Sequence, residues 1–148
     1  MTRLEKCETL KERGYTYNPI DGKIYNPLGK EITGKNRDGY ITLNPKFFKG
    51  DIKLHHFAWF MTYGNVDFLM LDHINRNRID NRICNLRIVT HQENCFNRTV
   101  KGCSWNEKSK KWQSQIMLNY KKIYLGDFNT EEEARNAYLD AKKKYHII

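Results

Sequence analysis

The chain lacks two features that would place a small protein in a membrane or in a disulfide framework. It has no apolar run close to the roughly 20 residues that a membrane-spanning helix requires. Its first residues, MTRLEKCETLKERGY, contain no apolar stretch that could serve as a signal peptide, so we expect a cytoplasmic protein. The four cysteines form no C-x-x-C pair, which argues against a zinc-knuckle site and predicts reduced thiols in ordinary packing positions.

Acidic residues are also scarce relative to basic ones. The chain has 26 Lys and Arg against 17 Asp and Glu, a formal net charge of +9. This excess predicts a polyanionic partner, most simply nucleic acid, although a solvated basic surface is the alternative. With 39% hydrophobic and 13% aromatic residues, the 148-residue chain can bury the core of one ordinary domain or two small ones.

The first third of the chain predicts a helix followed by short strands. Residues 2–13 suit a helix with Leu4 and Leu10 on its inner side and Gly14 as its C-terminal cap. From residue 15 to 53, apolar runs broken by NPIDG, NPLG and NRDG indicate β-hairpins.

A core helix is predicted in LHHFAWFMTYG, because its apolar residues recur at helical spacing up to Gly64. His55 and His56 are interpreted as packed or hydrogen-bonding residues of this helix, not as metal ligands.

The stretch LDHINRNRIDNRICNLRIVTHQEN is rich in Asn and Arg and poor in core residues. FLMLDHI predicts a strand that ends on Asp72 and His73, and NLRIV predicts a second strand. Thr90 and Glu93 have the spacing of a capping box, so Asn94 lies in the first turn of a helix. Oxygen ligands from Asp and Asn suit a hard cation such as Mg²⁺, and a neutral His can deprotonate water. This combination predicts phosphodiester hydrolysis.

DHINR, DNRICNLR and VTHQEN together resemble the HNH endonuclease motif of phage and intron-encoded homing endonucleases, whose site is a ββα-metal (His-Me finger) fold. LHHFAWFMTYG is similar to the helix that precedes the motif in that family, so the resemblance covers roughly residues 15–98.

The resemblance implies a role for each matching residue. Asp72 and Asn94 would be the metal ligands, for Mg²⁺ or another divalent cation such as Mn²⁺, and His73 would be the general base. Asn85 would orient the loop and the catalytic His through hydrogen bonds. His91, on the same helix as Asn94, is a less favoured ligand.

Four arginines surround these positions, and their guanidinium groups can hold phosphate oxygens of DNA. A solvated loop is the alternative for any one of them. They are Arg76, Arg78, Arg82 and Arg87.

Residues 101–148 predict two or three strands followed by one helix, which begins with a second capping box at Thr130 and Glu133. Alternation predicts an inward apolar face and an outward polar face that can bind DNA, although a solvated sheet is the alternative. The residues assigned to DNA on that outward face are Gln113, Gln115, Lys122 and Tyr124.

GCSW, KWQSQI, YLGDF and EEARNAY resemble the AP2 DNA-binding domain, a three-stranded sheet on one helix that enters the major groove. In the plant members of that family, Arg and Trp side chains on the sheet make most of the contacts that recognise the DNA sequence. Met117, Lys122 and Tyr124 occupy the matching positions here, so the resemblance implies groove binding without the same site preference.

We therefore predict an α+β protein with an HNH endonuclease domain at residues 1–100 and an AP2-like domain at 101–148. The expected function is metal-dependent hydrolysis of double-stranded DNA by a site-preferring phage homing or nicking endonuclease, a monomer or homodimer without membrane contact. If phage-encoded, it would act in the host cytoplasm. The alternatives are a non-catalytic DNA-binding regulator and an RNA-binding accessory protein.

Overall fold

The computed structural model describes residues 1–147 and confirms the predicted α+β class. The chain divides into two compact units, residues 1–89 and residues 90 onward. The helices are α1 (Arg3–Glu12), α2 (Leu54–Tyr63), α3 (His91–Phe96) and α4 (Glu131–Tyr145). The strands are β1 (Thr16–Tyr17), β2 (Ile24–Tyr25), β3 (Thr42–Leu43), β4 (Ile52–Lys53), β5 (Met70–His73), β6 (Leu86–Val89), β7 (Cys103–Asn106), β8 (Lys111–Leu118) and β9 (Lys121–Phe128). The predicted domain boundary at residue 100 remains a prediction.

The first unit consists of two helices and three antiparallel strand pairs, β1 with β2, β3 with β4 and β5 with β6. Helix α2 lies in its core, where Phe57 and Ala58 are fully buried against Leu10 of α1. Gly64 ends α2 in the left-handed conformation, as the sequence predicted. Each buried large apolar side chain contributes about 1.5–3 kcal/mol, so α2 anchors the strands around it.

The inner side of α1 differs from the prediction at one position. Leu10 is buried as expected, but Leu4 is 39% exposed and Cys7 is buried in its place. Arg3 explains the rotation, because its guanidinium lies over the Phe68 ring at 4.6 Å and donates to the Phe68 carbonyl at 2.9 Å. A helix that turns residue 3 inward also turns residues 7 and 10 inward and leaves residue 4 outside.

The prediction that the cysteines occupy ordinary packing positions is only partly correct. The four cysteines are free, but only Cys7 is buried in a core, whereas Cys84 and Cys95 are exposed and Cys103 is half-buried.

The second unit contains a three-stranded antiparallel sheet in the order β7-β8-β9, with α4 packed on one face. Ile116 of β8 packs there with Tyr138 and Ala141 of α4. The predicted capping box is present at the start of α4, where the Thr130 hydroxyl accepts the Glu133 backbone N–H. Among the described residues, no helix combines the length and the apolar character needed to cross a bilayer.

The paired histidines of α2 make the first unit sensitive to acid. Burial lowers the pKa of His55 well below its usual range and that of His56 to about 3. An unfolded histidine has a pKa of about 6.5, so below that pH the unfolded chain binds protons that the folded chain does not. The free energy of unfolding is therefore fully retained above pH 6.5 and falls as the pH drops.

We predict that the free energy of unfolding falls by about 1.4 kcal/mol per pH unit for each of these two histidines as the pH drops from 6.5 to 5. Urea unfolding of the wild type and of His56→Gln at pH 7 and pH 5 measures it. The variant should show the shallower pH dependence, and an equal dependence in the two proteins would contradict the assignment.

Candidate active site

The hairpin of β5 and β6 presents Asp72 and His73 on opposite sides of one strand. Asp72 is opposite Arg87 and His73 is opposite Leu86 in the antiparallel register. Alternation of side chains makes His73 buried, 3% exposed, while Asp72 is half-buried. The strand therefore delivers one imidazole toward the interior and one carboxylate toward the other face.

His73 is fixed by a hydrogen bond to a residue of the following loop. Its Nε2 lies 3.0 Å from Oδ1 of Asn81, and both side chains are buried. Because an amide oxygen only accepts, this contact places the proton on Nε2 and leaves Nδ1 as the basic nitrogen of the neutral ring. The arrangement fixes the tautomer as well as the ring orientation.

Asn81 is itself held in place from two sides. The Tyr17 hydroxyl donates to the Asn81 carbonyl at 2.8 Å, and burial raises the pKa of Tyr17, so the hydroxyl remains a donor. Gly22, at φ +76°, approaches the backbone of residues 81 and 82 so closely that a Cβ there would overlap it. The contact between Asn81 and His73 thus depends on β1 and on the tight turn before β2.

Aromatic rings surround the imidazole of His73. The His55 ring lies edge-on at 5.0 Å between centroids, and the Tyr40 ring lies at 5.9 Å. Burial lowers the pKa of His73, while the hydrogen bond that its ring donates to Asn81 and the nearby Asp72 carboxylate oppose that shift. His73 is therefore neutral near pH 7 and can accept a proton.

Asn85 closes the loop that follows His73. Its Oδ1 accepts the Asn75 backbone N–H at 3.0 Å, and its Nδ2 donates to the Asn75 side chain at 3.0 Å and to the Asp80 carbonyl at 2.8 Å. The Asn85 carbonyl also accepts the N–H of Ile74. These contacts hold the loop, whereas the His73 ring is hydrogen-bonded to Asn81.

Two of the predicted DNA-binding arginines form ion pairs with carboxylates. Arg82 bonds to Asp80 through Nη2 at 2.6 Å and lowers the pKa of Asp80 to about 2. Arg87 bonds to Asp72 Oδ2 through Nη2 at 2.9 Å and Nε at 3.2 Å. The charges of Arg82 and Arg87 are thus compensated within the chain.

The other two predicted arginines are exposed. Arg76 has a left-handed backbone, φ 63°, which is uncommon for a residue with a side chain and is found often at functional sites. Arg78 donates to the Asp38 carbonyl at 2.5 Å and lies over the ring of Tyr40 at 5.0 Å.

The predicted metal ligands lie on different elements. The Asp72 carboxylate is oriented by Arg87 in the first unit, and Asn94 is half-buried on α3 in the second. His91, the less favoured ligand, is exposed on the same helix. Among residues 1–147, no three His, Cys, Asp or Glu side chains gather as a metal-binding cluster. The predicted pair contains one carboxylate and one amide oxygen, a donor set that suits a hard divalent cation completed by water and phosphate.

The outward face of the sheet in the second unit carries the other predicted residues. Gln115 pairs with Tyr124, and Met117 pairs with Lys122, across β8 and β9. Gln115, Lys122 and Tyr124 are exposed, and Gln113 is half-buried. A bulge beside Ser114 and Gln115 changes the alternation in β9, so Asp127 lies opposite Gln113. An acidic residue therefore borders this face.

Sequence reasoning missed three residues around His73. Asn81, Tyr17 and Tyr40 contact the imidazole or the amide that fixes it. Tyr17 and Tyr40 lie in the segment predicted as β-hairpins, but nothing in that pattern indicates a contact near His73. The only signal for Asn81 was its place in an Asn-rich loop directly after the Asp-His pair.

Residues 53–95 of the chain match a family model described as HNH endonuclease. The comparison with curated proteins gives no significant match. A solved structure titled "DNA binding and cleavage by the HNH homing endonuclease I-HmuI" is similar, with 21% identity, a TM-score of 0.48, and coverage of 93% of this chain and 89% of that chain. That structural likeness does not itself establish function. The family match covers the segment that contains Asp72, His73, Asn85 and Asn94.

Removing the acceptor that orients His73 should impair cleavage. We predict that Asn81→Leu lowers the single-turnover rate about 10- to 100-fold, because the imidazole loses its fixed tautomer and position. Asn81→Asp keeps an acceptor oxygen at the same place and should retain more activity. Both variants are compared at equal occupancy by DNA, and a rate for Asn81→Leu equal to that of the wild type would refute the positioning role.

Proposed function

We propose that this protein is a metal-dependent endonuclease that hydrolyses phosphodiester bonds of double-stranded DNA. The observation that carries the proposal is a buried, neutral His73 whose tautomer is set by Asn81, on the same strand as the oriented carboxylate of Asp72. A positioned base and an anionic oxygen ligand are the two groups that hydrolysis of a phosphate ester requires.

In this proposal Asp72 and Asn94 hold a divalent cation, Mg²⁺ or another such as Mn²⁺. The assignment of Asn94 is supported by the sequence motif, and that of Asp72 by the motif together with the geometry around Arg87. When bound, the cation neutralises charge on the phosphate and on the leaving oxygen. Arg87 orients the carboxylate through Oδ2.

His73 acts as the general base. Its Nδ1 takes a proton from water as the water oxygen forms a bond to phosphorus, and the bond between phosphorus and the leaving sugar oxygen breaks. Asn81 keeps Nε2 protonated and the ring in place, and it stabilises the imidazolium that forms. Asn85 holds the loop that contains Asn81, because its Nδ2 donates to the Asp80 carbonyl.

The second unit is proposed as an AP2-like reader that gives the enzyme a site preference. Its exposed Gln115, Lys122 and Tyr124, with Gln113 at the border, supply a cation and side chains that can reach base edges. A phage homing or nicking role fits this combination. One active site cuts one strand, so a monomer would nick and a homodimer could break both strands.

Metal dependence is tested with supercoiled plasmid or phage DNA. We predict conversion to nicked or linear DNA with Mg²⁺ or Mn²⁺ and none in excess chelator, because the phosphate charge is then not neutralised. Undiminished cleavage in chelator would exclude the metal-dependent mechanism.

The roles of His73 and Asp72 are tested in the same assay. His73→Ala should lower the cleavage rate by about 100- to 10,000-fold, the usual contribution of general-base catalysis, and Asp72→Ala by at least as much. DNA affinity of His73→Ala should stay close to that of the wild type. Tight binding without cleavage by the wild type itself would favour the regulator.

The sheet face is tested through the salt dependence of binding. Lys122→Ala should lower the slope of log affinity against log salt by about one unit, because one phosphate contact is lost. Gln115→Ala and Tyr124→Phe should instead alter the discrimination between target and non-target DNA. Binding isotherms at several salt concentrations measure both effects. If all three variants bind as the wild type does, the sheet does not contact DNA.

A further inference from the structure

The basic residues near His73 fall into two groups by charge compensation. Arg82 and Arg87 are each bonded to a carboxylate. Arg78 and Lys53, by contrast, form no ion pair with any of the described residues, and Arg78 bonds only to the neutral carbonyl of Asp38. Their positive charges are therefore available to an anion from outside the chain.

Both uncompensated charges lie against the ring of Tyr40. Lys53 Nζ lies 4.4 Å from the centre of the Tyr40 ring, and Arg78 Cζ lies 5.0 Å from it. Such contacts hold the flexible side chains near the ring and so reduce the entropy lost when they bind a ligand. The backbone of Tyr40 is itself fixed, since its N–H donates to the Asn36 side chain at 3.0 Å.

The Tyr40 ring also lies near the proposed base, His73. The Tyr40 ring lies 5.9 Å from the His73 imidazole and 5.2 Å from that of His55. The charge of Arg78 also acts on His73, and that of Lys53 acts on His55. An anion bound by Lys53 and Arg78 would therefore lie beside the reacting atoms.

We propose that Tyr40, Lys53 and Arg78 form a binding site for a backbone phosphate of the DNA strand that is cut. The proposal rests on the proposed function, because it takes His73 as the base. Arg offers a planar fork of N–H donors that matches phosphate oxygens, and Lys adds a point charge. A phosphate is the anion that DNA presents to such a pair, and binding it close to His73 positions the strand for attack.

The first experiment measures DNA affinity against salt concentration in chelator, so that binding is separated from cleavage. Lys53→Gln and Arg78→Gln should each lower the slope of log affinity against log salt by about one unit, and the double variant by about two if both side chains contact phosphate. Lys53→Arg and Arg78→Lys keep the charge and should keep the slope.

Arg13→Gln is the matched control. The Arg13 guanidinium also lies over an aromatic ring, that of Phe47 at 4.1 Å, but the proposal gives it no phosphate. Its slope should equal that of the wild type. Tyr40→Leu, by contrast, should reduce DNA affinity because the two cations lose the ring that supports them.

A second experiment identifies the phosphate. Once the nick is mapped, single uncharged methylphosphonate groups replace each phosphate around it, and affinity is measured in chelator. The wild type should bind DNA with a methylphosphonate next to the nick more weakly than unmodified DNA. The Lys53→Gln, Arg78→Gln double variant should bind these two DNAs with equal affinity, because it no longer contacts that phosphate.

The outcomes separate this inference from the proposed function. Absence of DNA binding or cleavage by the wild type would remove the proposed function. If the wild type binds and cleaves while the double variant keeps an unchanged salt slope and the same response to every methylphosphonate, the phosphate site alone is refuted.

Discussion

The hydrogen bond between His73 Nε2 and Asn81 Oδ1 fixes the position and the tautomer of the proposed general base. Both side chains are buried, where an unpaired polar group would be strongly unfavourable, so each requires the other. Asn81 is in turn held by the Tyr17 hydroxyl, which donates to its carbonyl, and by the close approach of the turn at Gly22. Two short strands that look unrelated to catalysis therefore decide which imidazole nitrogen is basic. The polar loop after His73 is rigid because its donors and acceptors are bonded to one another, with Asn85 joining its two ends.

The second constraint is the distribution of charge around that hairpin. A net charge of +9 describes the whole chain, but the structure does not leave every cation equally available. Arg82 stabilises the loop through Asp80, and Arg87 orients the carboxylate of Asp72. Only where no carboxylate faces a guanidinium or ammonium group can the charge contribute fully to binding a polyanion. Ion pairing thus separates Arg82 and Arg87, which bond to carboxylates, from Arg78, which forms no ion pair among the described residues.

In the second unit, the sheet and α4 form a small core with one free face. Alternation alone predicts the outward set Gln115, Lys122 and Tyr124, and these side chains are exposed in the structure. The bulge beside Ser114 and Gln115 then shifts the pattern and brings Asp127 to the same face. One extra residue in β9 thereby makes this face less basic than a strict alternation would.

The sequence by itself determined the α+β class, the helix at residues 54–63, the capping boxes at Thr90 and Thr130, and the segment that matches the endonuclease family. These features depend on residues a few positions apart, whose spacing is visible in the chain. The tertiary structure decided that Asn81 contacts His73, that Arg87 bonds to Asp72, and that α1 turns Cys7 inward instead of Leu4. Such choices depend on strand register, loop closure and the rotation of a helix against its neighbours. Those are set by contacts between residues far apart in the chain, which no local pattern contains.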